Sequence, residues 1–180
     1  AHAEEASLSL PSGENLAYSR YPGGGNELLL WFASEHGLSP TETRAARELA
    51  ERGVEVWQFD LAEALFLPQT QSSMDSIDTE DMRAIFERAR KTGARVEVYA
   101  VNRAAVPVLK GLAGACGRER MKVQLMHPHF YARADAMMGA DYLSFGDLSC
   151  VEALILQPRR SAATPWAENQ LTALRQEGAQ

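Results

Sequence analysis

No apolar stretch in these 180 residues is long enough to cross a bilayer. Runs such as 28–33 and 153–156 fall far short of the roughly 20 residues that a spanning helix needs. Positive charge is also scarce: 18 Lys and Arg stand against 24 Asp and Glu, leaving a formal net charge of −6. The cations are scattered, whereas displacing counterions from nucleic-acid phosphates takes clustered Lys and Arg, so a nucleic-acid partner is not expected. Cysteine is nearly absent, with only Cys116 and Cys150 and no Cys-x-x-Cys spacing. That leaves two buried thiols, a disulfide formed in an oxidising compartment, or a reactive thiol, with buried and inert thiols as the expectation. Repeats, low-complexity tracts and Pro/Ser-rich linkers are missing as well. With 46% hydrophobic and 23% charged residues, the chain reads as a single globular domain over 1–180.

What is present is an alternation of strand-like and helical segments. Residues 6–10 and 16–21 flank a Pro/Gly/Asn turn and read as a hairpin at a sheet edge. Gly23-Gly24-Gly25 precedes a strand instead of opening a helix, which makes it a connector and not a phosphate cradle. Residues 27–33 form a continuous apolar run suited to a strand buried on both faces. Ser39-Pro40-Thr41-Glu42 then supplies an N-cap hydroxyl, a first-turn proline and a returning glutamate, and Gly53 ends that helix. Val54–Phe59 is the next strand, followed by an expected long loop over 61–76 that leaves Phe66, Leu67 and Pro68 exposed or lining a surface. Asp78 caps a second helix whose Met82, Ile85, Phe86 and Ala89 share one face. Residues 96–101 give a strand running straight into a helix over 102–112. Met121–Met126 and Val151–Leu156 are further strands, separated by a segment too long for a plain connection. Thr164-Pro165 opens a final capped helix that stops at Gly178.

This order resembles that of the α/β-hydrolases over nearly the whole chain. The resemblance implies a three-layer α/β fold, a mostly parallel sheet with helices on both faces, lacking the last strand. His36-Gly37 resembles the dipeptide on the oxyanion side of that family, where a backbone N–H stabilises a tetrahedral intermediate; a plain turn with a surface histidine fits it equally. The nucleophile elbow, Gly-x-Ser-x-Gly in the family, aligns with Ala100-Val101-Asn102-Arg103-Ala104. An amide has no proton that a histidine can remove at neutral pH, so Asn102 cannot act as the nucleophile. It reads as an elbow-shaped polar residue, a helix N-cap or a ligand-binding amide. The resemblance puts the acid at Ser161, which cannot hold charge against an imidazolium. The family's histidine follows one further strand, and the sequence ends at Gln180 before one.

With no catalytic residue assigned, the candidate ligand-binding residues are Glu35, His36, Asn102, Arg103, His127 and His129, all expected with Asp60 at the rim where strands of an α/β sheet end. His127-Pro128-His129 with these carboxylates matches no zinc signature, so neither a metal nor a cofactor is expected. Cys116 lies in Gly-Ala-Cys-Gly, away from that rim. The expected function is a catalytically degenerate α/β-hydrolase-like domain that binds a small apolar or acyl ligand or a protein partner. The alternative is an ester or thioester hydrolase completed by residues outside the chain. Ala1-His2-Ala3 resembles a signal-peptidase remnant, which suits export to the bacterial periplasm or beyond; a cytoplasmic location is the alternative. Without a following strand, Val151–Leu156 has a free edge, expected to be covered by a second copy or a downstream segment.

Overall fold

Alternation of side chains in β1 (Glu4–Ser9) and β2 (Asn15–Tyr21) gives one covered and one wet face, as an edge hairpin requires. They pair antiparallel from Glu4 opposite Arg20 to Ser9 opposite Asn15. The structure is a computed structural model and describes every residue except 1, 116, 118, 136, 138 and 163. β3 (Glu27–Phe32) buries side chains on both of its faces, Leu28, Leu30 and Phe32 on one and Trp31 on the other. Its neighbours are β4 (Val54–Phe59) and β5 (Arg95–Val101), both parallel to it. β6 (Met121–Met126) follows β5 in the sheet, and β9 (Val151–Leu156) lies outside β6. The resulting seven-stranded sheet runs β1-β2-β4-β3-β5-β6-β9 and is parallel from β4 onward. The long segment between β6 and β9 contains a separate antiparallel hairpin, β7 (Tyr131–Asp135) with β8 (Gly139–Tyr142).

Helices cover both faces. α1 (Pro40–Glu51) starts on the expected capping box: the Ser39 hydroxyl accepts from the Glu42 N–H, and the Glu42 carboxylate accepts from the Ser39 N–H. Its Ala46 and Ala50 pack with Tyr21, Trp31 and Val56 on one side of the sheet. On the other side, α4 (Thr79–Arg90) and α5 (Ala105–Leu112) press Met82, Ile85, Phe86, Val108 and Leu109 onto Leu30, Phe32 and Val98. Gly111 allows that approach, because a Cβ there would lie 2.7 Å from Cβ of Met82.

Four expectations need correcting. The stretch 61–76 is not a structureless loop but holds two short helices, α2 (Leu61–Ala64) and α3 (Gln71–Asp75). Asp60 caps the first by accepting from the Glu63 N–H, Thr70 caps the second at Ser73, and burial of Met74 ties α3 to the core. The segment after β5 opens as a tight 3₁₀ turn, Asn102–Ala104, before α5 begins. The last helix, α6 (Ala167–Gln176), starts later than expected and without a side-chain cap, since the Thr164 hydroxyl donates to the Pro158 carbonyl instead. Cys150 is disulfide-bonded, not a free thiol; Cys116 lies outside the described residues.

Candidate functional site

The end of β5 turns sharply. Asn102 takes φ of 50°, in the left-handed region that most L-residues avoid and asparagine tolerates. Ala100 and Ala104 on either side are fully buried, leaving the turn no room to relax. The strand-to-helix elbow is therefore present, with an amide where the resemblance has a nucleophile.

The turn after β3 meets this elbow. Gly37 donates to the Ser34 carbonyl at 3.0 Å, and the His36 N–H donates to the Ser34 hydroxyl at 3.2 Å. Gly37 itself has φ of 87°, and a Cβ there would sit 2.7 Å from Oδ2 of Asp60. This tight turn aims the Glu35 side chain inward, where it is only 3% exposed. Its Oε2 accepts the Arg103 N–H at 3.1 Å, and its Oε1 lies 3.6 Å from Nε2 of His36, whose ring is 70% exposed. In an α/β-hydrolase, the N–H after the nucleophile and an N–H from the turn after the third strand hold the oxyanion. Here the Arg103, His36 and Gly37 N–H groups all bond to the protein's own acceptors.

Two histidines close the other side. His127 has φ of 45°, its N–H donates to the Leu156 carbonyl, and its Nε2 lies 2.9 Å from the Ser161 hydroxyl. The His129 N–H donates to the Asn102 carbonyl at 3.1 Å, and the two imidazole rings sit 4.8 Å apart. Burial, and then the neighbouring His127, push the pKa of His129 below its ordinary value, against the pull of Glu35. The Nδ1 atom of His129 is buried without a hydrogen-bond partner.

The six candidate residues thus gather at one rim, but they do not all face a ligand. The Arg103 guanidinium makes two 2.7 Å bonds to the Asp75 carboxylate and a third to the Tyr131 carbonyl, so it clamps α3 and β7 over the elbow. Asp60 is spent on capping α2. Sequence reasoning missed Asp75, Gln157 and Gln170. Gln170 donates to the Pro128 carbonyl behind the histidines while its Oε1 is buried and unpaired, and both amide atoms of Gln157 are buried and unpaired. Asp75 in 61–76 and Gln170 on α6 gave no sign of this, because their partners are distant in sequence. Among the described residues, no group of three or more His, Cys, Asp or Glu is placed to hold a metal ion.

No family model and no curated protein matches the chain. Solved structures do. A putative dienelactone hydrolase from Klebsiella pneumoniae superposes with a TM-score of 0.67 at 13% identity, covering 99% of this chain and 83% of that one. A hormone-sensitive lipase from a metagenome library gives 0.62 at 14% identity, over 98% and 73% of the two chains. A dienelactone hydrolase-like promiscuous phosphotriesterase from metagenomic libraries gives 0.61 at 11%, over 99% and 79%. With the strand order above, these likenesses show that the chain has an α/β-hydrolase fold.

Proposed function

We propose that this chain is an α/β-hydrolase-fold domain that binds at its strand-end rim and does not hydrolyse there. The observation that carries this reading is the occupied elbow: Asn102 stands at the nucleophile position, and the N–H that would steady an oxyanion is held by the buried Glu35 carboxylate. Electrostatic stabilisation by such donors is commonly the largest single contribution to acyl transfer. An elbow with no nucleophile at its position and with its backbone donors taken is suited to holding a small apolar or acyl molecule, or a protein partner, near Glu35, His36, His127 and His129. Phe66, 92% exposed and beside the half-buried Leu67, offers apolar surface on the segment that α3 anchors. The disulfide at Cys150 supports an oxidising compartment and hence export. The test is hydrolysis of p-nitrophenyl acetate together with labelling by a fluorophosphonate. Background rates and no labelled serine are expected; a labelled serine overturns the reading.

One observation favours the second reading, an ester or thioester hydrolase completed outside these residues. The Gln180 N–H donates to the Val151 carbonyl and its carbonyl accepts from the Ala153 N–H, so Gln180 pairs with the edge of β9 in the pattern of a parallel neighbour. This reading still has to supply a nucleophile other than Asn102. The same two probes applied to the longest natural form decide it, and activity there but not in the 180-residue chain would favour it.

A further inference from the structure

On the rim opposite the elbow, where β3, β4 and β5 begin, a cavity of about 580 Å³ opens between the sheet and the last turn of α4. That volume lies within the range of small-molecule sites, roughly 300–1,000 Å³. Its lining comes from β2, β4, the start of β3 and the last turn of α4. Tyr18 and Trp57 form one wall with ring centroids 5.2 Å apart, and Leu28 lies beside them.

The charges around this cavity are unevenly committed. Glu55 accepts from Nε of Arg20 at 2.7 Å and from the Trp57 indole N–H at 2.7 Å. Glu27 pairs with Arg95. Glu55 is thus neutralised in a partly buried pair, and Glu27 sits in an exposed pair that water screens. Lys91 lies 3.3 Å from Glu87, an exposed pair that water screens. Arg88 has no carboxylate partner among the described residues, although it lines the cavity and its field reaches the Tyr18 hydroxyl. Burial raises the pKa of that hydroxyl, with Arg88 and Arg20 opposing, so Tyr18 keeps its proton and can donate.

We propose that this cavity binds a small aromatic carboxylate, its ring on the Tyr18 and Trp57 wall and its carboxylate on the Arg88 guanidinium, with Lys91 adding positive field. A guanidinium suits a planar carboxylate because its fork of N–H groups can donate two parallel bonds, and an aromatic wall suits the flat remainder. The site is separate from the elbow and does not depend on what happens there. Cations in the last turn of α4 also complement its dipole, which is a stability role that needs no ligand. The experiment separates the two. The full chain is titrated with benzoate and with 2-naphthoate by calorimetry and amide chemical shifts, with 2-naphthamide as the uncharged counterpart. Saturable binding of at least one acid is expected, with shifts at Tyr18 and Thr92. It should weaken about tenfold or more in Arg88→Gln and for the amide, and be only partly retained in Arg88→Lys, which keeps the charge but not the fork. Without ligand, Arg88→Gln should melt only slightly below the parent, by the helix-dipole contribution it loses. No saturable binding of either acid, or equal binding by Arg88→Gln or by the amide, overturns the proposal.

Discussion

Asn102 holds a left-handed backbone that costs most L-residues about 1–2 kcal/mol and costs asparagine less, and the packing of Ala100 and Ala104 keeps it there. Geometry and chemistry can therefore be separated at this one residue. Asn102→Ser restores a hydroxyl to the elbow but leaves Glu35 on the Arg103 N–H, and the contact of His129 with residue 102 runs through its backbone N–H and not its imidazole. Ester hydrolysis by this variant should stay at background, measured with p-nitrophenyl acetate; acylation by a fluorophosphonate would mean that His36, His127 or His129 already reaches the hydroxyl. His129 gives a prediction in pH. Its pKa is lowered by burial first and His127 second, so the unfolded chain takes up the proton at a higher pH than the folded one. The contribution of a neutral His129 is complete above the ordinary 6.5 and is lost as pH falls from there toward the folded value. Urea midpoints from about pH 7.5 to about pH 5 should therefore decline less in His129→Gln than in the parent. Equal slopes would show that this imidazole is not what the acid acts on.

Among the elements, β4 and β5 were expected as strands from their apolar runs, and the sheet puts each between two neighbours. Val98 on β5 is fully buried and faces α4 and α5. Val98→Asp places an unpaired carboxylate in that layer and should cost on the order of 3–5 kcal/mol, read from chemical denaturation. A variant that melts within a degree or two of the parent would remove the strand from the interior. α2 and α3 show the opposite situation. Their caps, Asp60 and Thr70, were not read from the sequence, and helices of four and five residues do not form on local signals alone. They depend on burial of Leu61, Ala62 and Met74 and on the clamp from Arg103 to Asp75. Nothing within ten residues of Asp75 announces that clamp.

At the scale of the molecule, the sheet's outer strand is the open question. The Met121 N–H donates to the Cys150 carbonyl, so even-numbered residues of β9 serve β6 and odd-numbered ones face outward. Gln180 takes the Val151 carbonyl and the Ala153 N–H, and Ile155 lies beyond it. An uncovered, nearly uncharged strand edge is a template for pairing with another chain. Amide exchange should find Ala153 slow at every concentration and Ile155 slowing as the chain self-associates, with sedimentation reporting that association. A monomer whose Ile155 amide exchanges freely would leave the edge solvated and rule out pairing between copies.

The sequence by itself determined the features whose signals lie within a few residues. A buried strand is a short apolar run, α1 is announced by Ser39, Pro40 and Glu42, and the amide at the elbow position is legible in the single residue Asn102. The tertiary structure alone decided where distant groups meet. Glu35 reaches the Arg103 N–H across 68 positions, Arg103 reaches Asp75 across 28, and His127 finds Ser161 across 34. Those meetings follow from strand order, which places the end of β3 beside the end of β5 and the end of β6 beside the end of β9. Hydrogen bonds act over about 3 Å whatever the separation along the chain, so only the assembled sheet could specify them.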